Sequence, residues 1–271
     1  MTRQILEMNQ RTWSDVRSPL LNFQRNVFSQ AGEDGVIEKI LSMIPETTKF
    51  FVEFGAWDGL HLSNCARLAR EAGWSGIFIE GNEQRFADLL KNYGELPQIT
   101  AINAWVSLDL GSRLDEIVSP YTTDVGVLSI DIDGNDYHIW ESLTTIRPAL
   151  VVIEINPSIP NDVKFVQEYD LRKNQGASLS AMVSLGSRKG YELICCTSLN
   201  AFFVDKQYFP RFNIDNSNLD NFFIPKCNGR IFHGYDGTIF TVGMDRLIWH
   251  SRPVRFDDLQ ILPAAERQHR G

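Results

Sequence analysis

The chain has 271 residues, of which 43% are hydrophobic and 22% are charged, and this is enough to bury a three-layer core without disulfides. No apolar stretch approaches the ~20 residues that cross a bilayer, which argues against a membrane protein. The formal net charge of −8 offers no overall basic face to phosphates, so we expect no nucleic-acid partner. Residues 1–17 lack the apolar segment of a secretory signal and no CxxC spacing occurs, so a cytoplasmic protein with reduced thiols is expected.

Hydrophobic periodicity predicts alternating helices and strands from residue 33 onwards. Val36, Ile37 and Ile40 recur at helical spacing before Pro45, which predicts a helix over 33–44. Short apolar runs predict strands over 50–54, 77–79, 99–102, 125–130 and 150–155, and helical patterns separate them over 61–72, 83–93, 112–119 and 137–143. Five nearly continuous apolar strands alternating with helices predict a parallel sheet that is covered on both faces.

The last part of this pattern differs from the rest. After a predicted helix over 177–189, strands are predicted over 191–196 and 201–204, and the four residues between them are too few for a crossover. We therefore expect an antiparallel hairpin that completes a doubly wound, seven-stranded α/β sheet of the class I methyltransferase type. The predicted divisions are an N-terminal extension (1–28), a cofactor-binding methyltransferase domain (29–209), and a lid with an irregular C-terminal extension (210–271).

A glycine-containing loop follows the first predicted strand. Glu53-x-Gly55-x-x-x-Gly59 lies between that strand and a helix, and its glycine spacing differs from the GxGxxG of dinucleotide sites. Gly55, Ala56 and Gly59 would let a ligand approach the backbone, and Glu53 would accept hydrogen bonds from the amino group of S-adenosylmethionine. A tight turn with no ligand is the alternative interpretation.

Other polar residues end the next two strands. Glu80 is predicted to accept hydrogen bonds from the ribose hydroxyls of the cofactor, and Asn103 to face its adenine, because ligands bind at the carboxyl ends of strands in open α/β sheets. Glu80 could instead be an incidental surface acid. Gln30, just before the first helix, is a further candidate for cofactor contact, with helix capping by Ser29 as the alternative.

Acidic residues gather after the fourth and fifth strands. Asp131 and Asp133 follow one strand, and Glu154 and Asn156 follow its neighbour. Their oxygens suit Mg²⁺ or Ca²⁺, which would lower the pKa of an acceptor hydroxyl, so these four residues form a candidate metal site. Helix capping is the alternative role for the acids from 133 to 136.

Methyl transfer to a hydroxyl also requires a base. His138 and Asp131 are the candidates, because both lie beside the predicted crevice and either can remove the proton of an acceptor. A histidine on a helix surface with no catalytic role is the alternative for His138.

Two of these motifs together resemble a known family. Glu53-Phe-Gly-Ala-Trp-Asp-Gly59 and Ile130-Asp-Ile-Asp-Gly-Asn-Asp136 are similar to the FkbM-like methyltransferases, a class I group common in polysaccharide and natural-product gene clusters. The resemblance covers 29–204. It implies that Gly55 and Glu80 bind S-adenosylmethionine and that the reaction is O-methylation. The family's Asp-x-Glu-Gly-x-Glu motif has two glutamates where this chain has Asp133 and Asp136.

These observations predict an S-adenosylmethionine-dependent O-methyltransferase that acts on a hydroxyl of a sugar, polysaccharide precursor or natural product, with Mg²⁺ as a candidate second cofactor. The alternatives are an N-methyltransferase acting on an amine or amino sugar, a methyltransferase fold that binds without catalysis, and a nicotinamide-dependent enzyme. The glycine spacing and the terminal hairpin oppose the last of these. Aromatic residues near the C-terminus are compatible with a homodimer.

Overall fold

The computed structural model of the protein describes residues 18–226 and 229–269, so the expectations for residues 1–17 and for Cys227 fall outside these ranges. A seven-stranded sheet has the order β3-β2-β1-β4-β5-β7-β6. Its strands are β1 (Phe50–Phe54), β2 (Ser75–Glu80), β3 (Ile99–Asn103), β4 (Val127–Ile130), β5 (Leu150–Glu154), β6 (Tyr191–Cys196) and β7 (Asn200–Asp205). β7 alone runs antiparallel to its neighbours β5 and β6. This confirms the predicted sheet of the class I methyltransferase fold.

Within the described residues, six α-helices cover the two faces of this sheet. They are α1 (Glu33–Met43), α2 (Ala66–Arg70), α3 (Glu83–Tyr93), α4 (Leu114–Val118), α5 (Asp136–Ser142) and α6 (Leu179–Lys189). α1, α2 and α3 pack on the face that carries Phe51 and Phe78, whereas α4, α5 and α6 pack on the opposite face, around Trp140. The result is a doubly wound, three-layer domain with an apolar core on each side of the sheet. None of the described helices is long and apolar enough to cross a membrane.

The second helix is shorter than its hydrophobic pattern predicts. A helix was expected over 61–72, but α2 begins only at Ala66. Leu62 has a φ of +61°, and Asp58 Oδ1 accepts hydrogen bonds from the backbone amides of Leu60 and His61. These local bonds hold the chain in a turn, which competes with helix formation.

Beyond β7 the chain contains order that the sequence did not predict. Phe222 and Phe223 are buried in the core around Trp140, so part of segment 210–226 packs against the sheet domain. The C-terminal extension contains an antiparallel hairpin of β8 (Arg230–His233) and β9 (Ile239–Val242). A turn around Gly237 connects these strands, and the φ of +82° at this residue explains the glycine. Every residue of β8 is exposed, so the strand lacks the apolar alternation by which a half-buried strand is recognised.

Candidate functional site

The glycine loop after β1 is held against the end of β4. Gly55 has a φ of +73°, and a Cβ at this position would lie 1.9 Å from the carbonyl oxygen of Asp131. The close approach that requires glycine here is therefore to the chain itself. Ala56 is fixed by a hydrogen bond from its amide to the Ile79 carbonyl in β2. Gly59, also with a φ of +73°, packs against the side chain of Tyr93. The loop is thus wedged between β2, β4 and α3.

Glu53 is directed into this loop. Its carboxylate is buried and accepts hydrogen bonds from Ser63 Oγ at 2.6 Å, from the Asn64 amide at 2.9 Å and from the Cys65 amide at 3.2 Å. Burial raises the pKa of Glu53 to about 7 against the opposing effect of these donors. In this structure Glu53 fixes the segment that leads into α2, and its contact with the amino group of a cofactor stays a prediction.

Glu80 connects the loops that follow β1 and β2. It is 4% exposed, and its two carboxylate oxygens accept hydrogen bonds from the Trp57 amide at 2.8 Å and from the Asn82 amide at 2.7 Å. Each oxygen retains a lone pair, because a carboxylate oxygen can accept two hydrogen bonds. Asn103, its partner in β3, donates from Nδ2 to the Glu80 carbonyl at 2.8 Å. Glu80 can therefore keep its hydrogen bonds to the two loops and still accept hydrogen bonds from the hydroxyls of a ligand.

A cavity of about 500 Å³ lies next to Glu80, beyond the ends of β2 and β3. Asn103 and Trp105 line it, together with the start of α3 around Asn82. Trp105 is 71% exposed, and its indole lies so close to Gly81 that a Cβ there would be 2.3 Å from the ring. The sequence analysis did not identify Trp105. An aromatic residue two positions after Asn103, the polar residue that follows the predicted strand, was the signal that could have found it.

Three of the predicted metal ligands come together at the ends of β4 and β5. One ligand atom from each of Asp131, Asp133 and Glu154 lies within 4.8 Å of the others. The parallel register that pairs Ile130 with Ile153 places Asp131 and Glu154 at neighbouring strand ends. Burial and the surrounding carboxylates raise the pKa values of Asp131 and Glu154 well above the usual range. We call these three residues the acidic cluster.

The fourth acid of this region, Asp136, has a different role. It is buried at the start of α5 and accepts hydrogen bonds from the amides of Ile132 and Gly134, both at 2.9 Å. It therefore folds the loop that carries Asp131 and Asp133. This is not the helix capping that was the alternative, because both amides precede α5 and its N-cap residue, Asn135, makes no side-chain capping hydrogen bond. Burial raises the pKa of Asp136 to about 6.

The side chain of Asn156 forms its hydrogen bonds outside the acidic cluster. Its Oδ1 accepts hydrogen bonds from the Ser158 amide at 2.9 Å and from Ser158 Oγ at 2.6 Å, and its Nδ2 donates to the Gln175 carbonyl. Both lone pairs of the amide oxygen are thereby engaged. The structure thus gives Asn156 the role of fastening the loop that leaves β5, and its predicted role as a metal ligand gains no support.

His138 lies on α5 between two tyrosines. Its Nε2 is 2.8 Å from the Gln167 carbonyl oxygen, and its ring is 5.6 Å from those of Tyr137 and Tyr169. Because a carbonyl can only accept, Nε2 is the protonated nitrogen and Nδ1 carries the lone pair. His138 can act as a base only through Nδ1.

The turn before α1 is organised by a residue that the sequence analysis passed over. Asp34 Oδ2 accepts hydrogen bonds from the amides of Val27, Phe28 and Ser29, all at 2.8 Å. Gln30 is exposed at the outside of this turn. The residue before α1 is Gly32, with a φ of +94°, so Ser29 does not occupy the N-cap position, but its Oγ still accepts a hydrogen bond of 3.1 Å from the Asp34 amide in the first turn.

A buried polar contact joins this turn to β7. Glu33 is fully buried, and its Oε1 accepts hydrogen bonds from Thr197 Oγ1 at 2.7 Å and Asn200 Nδ2 at 3.2 Å. Asn200 pairs in register with Glu154, so the contact lies next to the acidic cluster. The carboxyl edge of the sheet is thus closed beside β5 by the start of α1. The sequence offered no signal for this contact, because its two parts are separated by more than 160 residues.

No protein-family model matches the sequence, and comparison with curated proteins gives no match. Among solved structures, the chain is similar to the N-terminal domain of EvdMO1 with SAH bound, at 13% identity and a TM-score of 0.43 over 66% of this chain and 81% of that one. It is similar to the CurJ carbon methyltransferase at 9% identity and a TM-score of 0.45, over 66% of this chain and 56% of that one. It is similar to TYW2 of M. jannaschii in complex with AdoMet at 14% identity and a TM-score of 0.38, over 67% of this chain and 79% of that one. At these values none of the likenesses establishes an activity or a substrate.

Proposed function

We propose that the protein is an S-adenosylmethionine-dependent methyltransferase that transfers a methyl group to a hydroxyl of a sugar or another small molecule, in the manner of the FkbM-like enzymes. The observation that carries this proposal is the meeting of the glycine loop with the acidic strand end at the β1–β4 junction. The strand order reverses there, and open α/β sheets bind ligands in the crevice at such a point. Gly55 and Asp131 lie against each other at this junction.

The charges around the crevice favour this cofactor over a nicotinamide dinucleotide. S-adenosylmethionine carries a sulfonium and an ammonium group, and both are cationic. The neighbours that raise the pKa of Asp131 are all carboxylates, among them Asp133 and Glu53. Such a site attracts a cation and repels a pyrophosphate. Glu80 would accept hydrogen bonds from the ribose hydroxyls, and Trp105 and Asn103 would enclose the adenine in the adjoining cavity.

The proposed reaction is an in-line displacement in which the acceptor oxygen bonds to the methyl carbon as the bond from that carbon to sulfur breaks. The protein must align the acceptor and accept its proton. Asp131 is the proposed base, because it lies at the end of β4 beside the crevice, and burial with the neighbouring carboxylates raises its pKa and makes it a stronger base than an ordinary aspartate. His138 is the alternative base, through Nδ1.

The acidic cluster also has the donor set for a divalent cation. Its three carboxylates supply hard oxygen ligands, which Mg²⁺ prefers, and a cation would relieve their mutual repulsion. Asp131, Asp133 and Glu154 would hold the ion, which when bound would lower the pKa of the acceptor hydroxyl. Asp131 would then be a ligand, and His138 would remain as the base.

The test is incubation of the protein with S-adenosylmethionine carrying an isotopically labelled methyl group, together with a panel of sugars, other alcohols and amines. We expect label in ether linkages and loss of activity in Asp131→Asn. A repeat with a chelator shows whether the cation is needed. Label found only in methylated amines would contradict O-methylation and support the N-methyltransferase alternative, and binding of the cofactor without any transfer would support a non-catalytic role.

A further inference from the structure

A second cavity, of about 740 Å³, lies between three parts of the chain that follow β5 and β7. One wall is the loop that leaves β5, the second is segment 217–226, and the third is the C-terminal extension. We call it the tail cavity. Its polar lining includes Asn161, Asp162, Ser217, Asp220, Lys226 and Arg230. Its volume is in the range of small-molecule sites, about 300–1,000 Å³.

One wall of the tail cavity is hydrogen-bonded to the loop that leaves β5 after Glu154. The Lys226 amide, in its wall, donates a hydrogen bond of 2.8 Å to the Pro157 carbonyl. Pro157 follows Glu154 by three residues, and even a fully extended chain of three residues spans no more than about 11 Å. A molecule in the tail cavity can therefore reach towards the carboxyl edge of the sheet, where the proposed methyl transfer takes place.

The walls of this cavity combine hydrogen-bond donors and acceptors with nearly balanced charge. The lining contains three carboxylates, two side-chain amides, one serine hydroxyl and two cationic side chains. Arg230 Nη2 in the extension lies 4.0 Å from Asp162 Oδ2 in the loop after β5, so opposite charges span the two walls. This balance gives a phosphate or another multivalent anion no net attraction, and the polar groups disfavour a wholly apolar guest.

One buried atom in this wall lacks a partner. Asn161 Nδ2 donates to Asp220 Oδ1 at 2.9 Å and to the Phe223 carbonyl at 3.0 Å, which fixes the amide group. Its Oδ1 is buried and accepts no hydrogen bond from the described part of the chain. Because this oxygen has almost no accessible surface, Asn161 is a fixed part of the wall, and a molecule in the cavity would form hydrogen bonds with the other polar groups of the lining.

We propose that the tail cavity is the acceptor-binding site and that it takes an uncharged, polyhydroxylated molecule, whose hydroxyls form hydrogen bonds with the polar side chains of its walls. Each hydroxyl both donates and accepts, which matches walls that combine carboxylates, amides and cations. This inference rests on the proposed methyltransferase function. It gives the C-terminal extension a role as one wall of the site.

The experiment is saturation-transfer difference NMR on the full chain at millimolar ligand, with methyl α-D-glucopyranoside, glucose 1-phosphate and cyclohexanol as probes. Ser217 is exposed in the cavity wall, so Ser217→Trp would fill the cavity and Ser217→Ala is its matched control. We expect the methyl glucoside to bind the natural protein and Ser217→Ala, to shift the side-chain amide signals of Asn161, and to bind Ser217→Trp at least tenfold more weakly.

Titration of the same variants with S-adenosylhomocysteine separates this inference from the proposed function. Unchanged affinity in Ser217→Trp, with loss of the methyl glucoside, supports an acceptor site distinct from the cofactor crevice. Failure of the natural protein to bind S-adenosylhomocysteine would refute the function but not the existence of a polyol site. Equal glucoside binding by the two Ser217 variants, no glucoside binding at all, or binding of only glucose 1-phosphate or cyclohexanol would overturn the inference.

Discussion

Replacement of Gly55 by alanine tests whether the glycine loop depends on its contact with β4. With a φ of +73°, alanine would be in the left-handed region, which costs about 1–2 kcal/mol. Its Cβ would also lie 1.9 Å from the Asp131 carbonyl oxygen, so the ends of β1 and β4 would have to separate. Overpacking of this kind costs about 1–3 kcal/mol more. We therefore expect Gly55→Ala to lower the free energy of unfolding by about 2–5 kcal/mol.

Gly73→Ala is the matched control for this prediction. Gly73 has a φ of +67°, and nothing lies within 4 Å of the position of its Cβ, so its replacement introduces the backbone strain without the contact. Urea denaturation should give a loss of about 1–2 kcal/mol for this variant. The two losses should differ by about 1–3 kcal/mol. Equal losses would refute the reasoning, because the contact with Asp131 would then have no energetic effect.

Three further predictions concern single side chains of the site. Because burial raises the pKa of Glu53 from 4.5 to about 7, the folded protein binds a proton more tightly than the unfolded chain. The free energy of unfolding should therefore fall by up to about 3 kcal/mol as pH rises from 4.5 to 7. Urea denaturation at several pH values should show a weaker pH dependence for Glu53→Gln than for the natural protein. An unchanged pH dependence would contradict the raised pKa of Glu53. Trp105→Ala should weaken S-adenosylhomocysteine binding by about 1–3 kcal/mol, because the adenine loses its stacking partner. The Tm should change little, because the indole is 71% exposed. Trp249→Ala, at another exposed tryptophan, is the control and should leave the affinity unchanged. Glu154→Gln should stabilise the metal-free protein, because it removes a buried acid and its repulsion from the neighbouring carboxylates, and it should abolish any rise in Tm on addition of Mg²⁺. A lower Tm of the variant than of the natural protein in chelator would contradict this.

The sequence predicted those elements whose local signals agree with their packing. The bounds of β1 and α3 match the prediction to the residue, because Gly55 ends the first and the Asn82 side chain caps the second. The position of β7 followed from the short link before it, since four residues cannot form a crossover. The beginning of α2 was mispredicted because hydrogen bonds to Asp58 and Glu53 override an apolar helical pattern.

Topology also predicted which residues of the site would be neighbours, but it could not predict their hydrogen bonds. Because β4 and β5 are paired neighbours, Asp131 and Glu154 lie close together irrespective of the conformation of the loops. The partners of Asn156 and His138 depend on the loop over 157–176, whose path has no hydrophobic period to fix it. Trp105 was overlooked for a related reason, because an exposed aromatic on a loop has no pattern until a cavity forms beside it.

The most direct test of the account is calorimetric titration of the cofactor-free protein with S-adenosylhomocysteine, beside NADH. The account predicts micromolar binding of the first and none of the second, with affinity reduced about tenfold or more in Glu80→Gln through loss of a charged acceptor. Glu95→Gln, at an exposed acid outside the crevice, should bind as the natural protein does. No binding of S-adenosylhomocysteine to the folded natural protein would contradict the methyltransferase assignment.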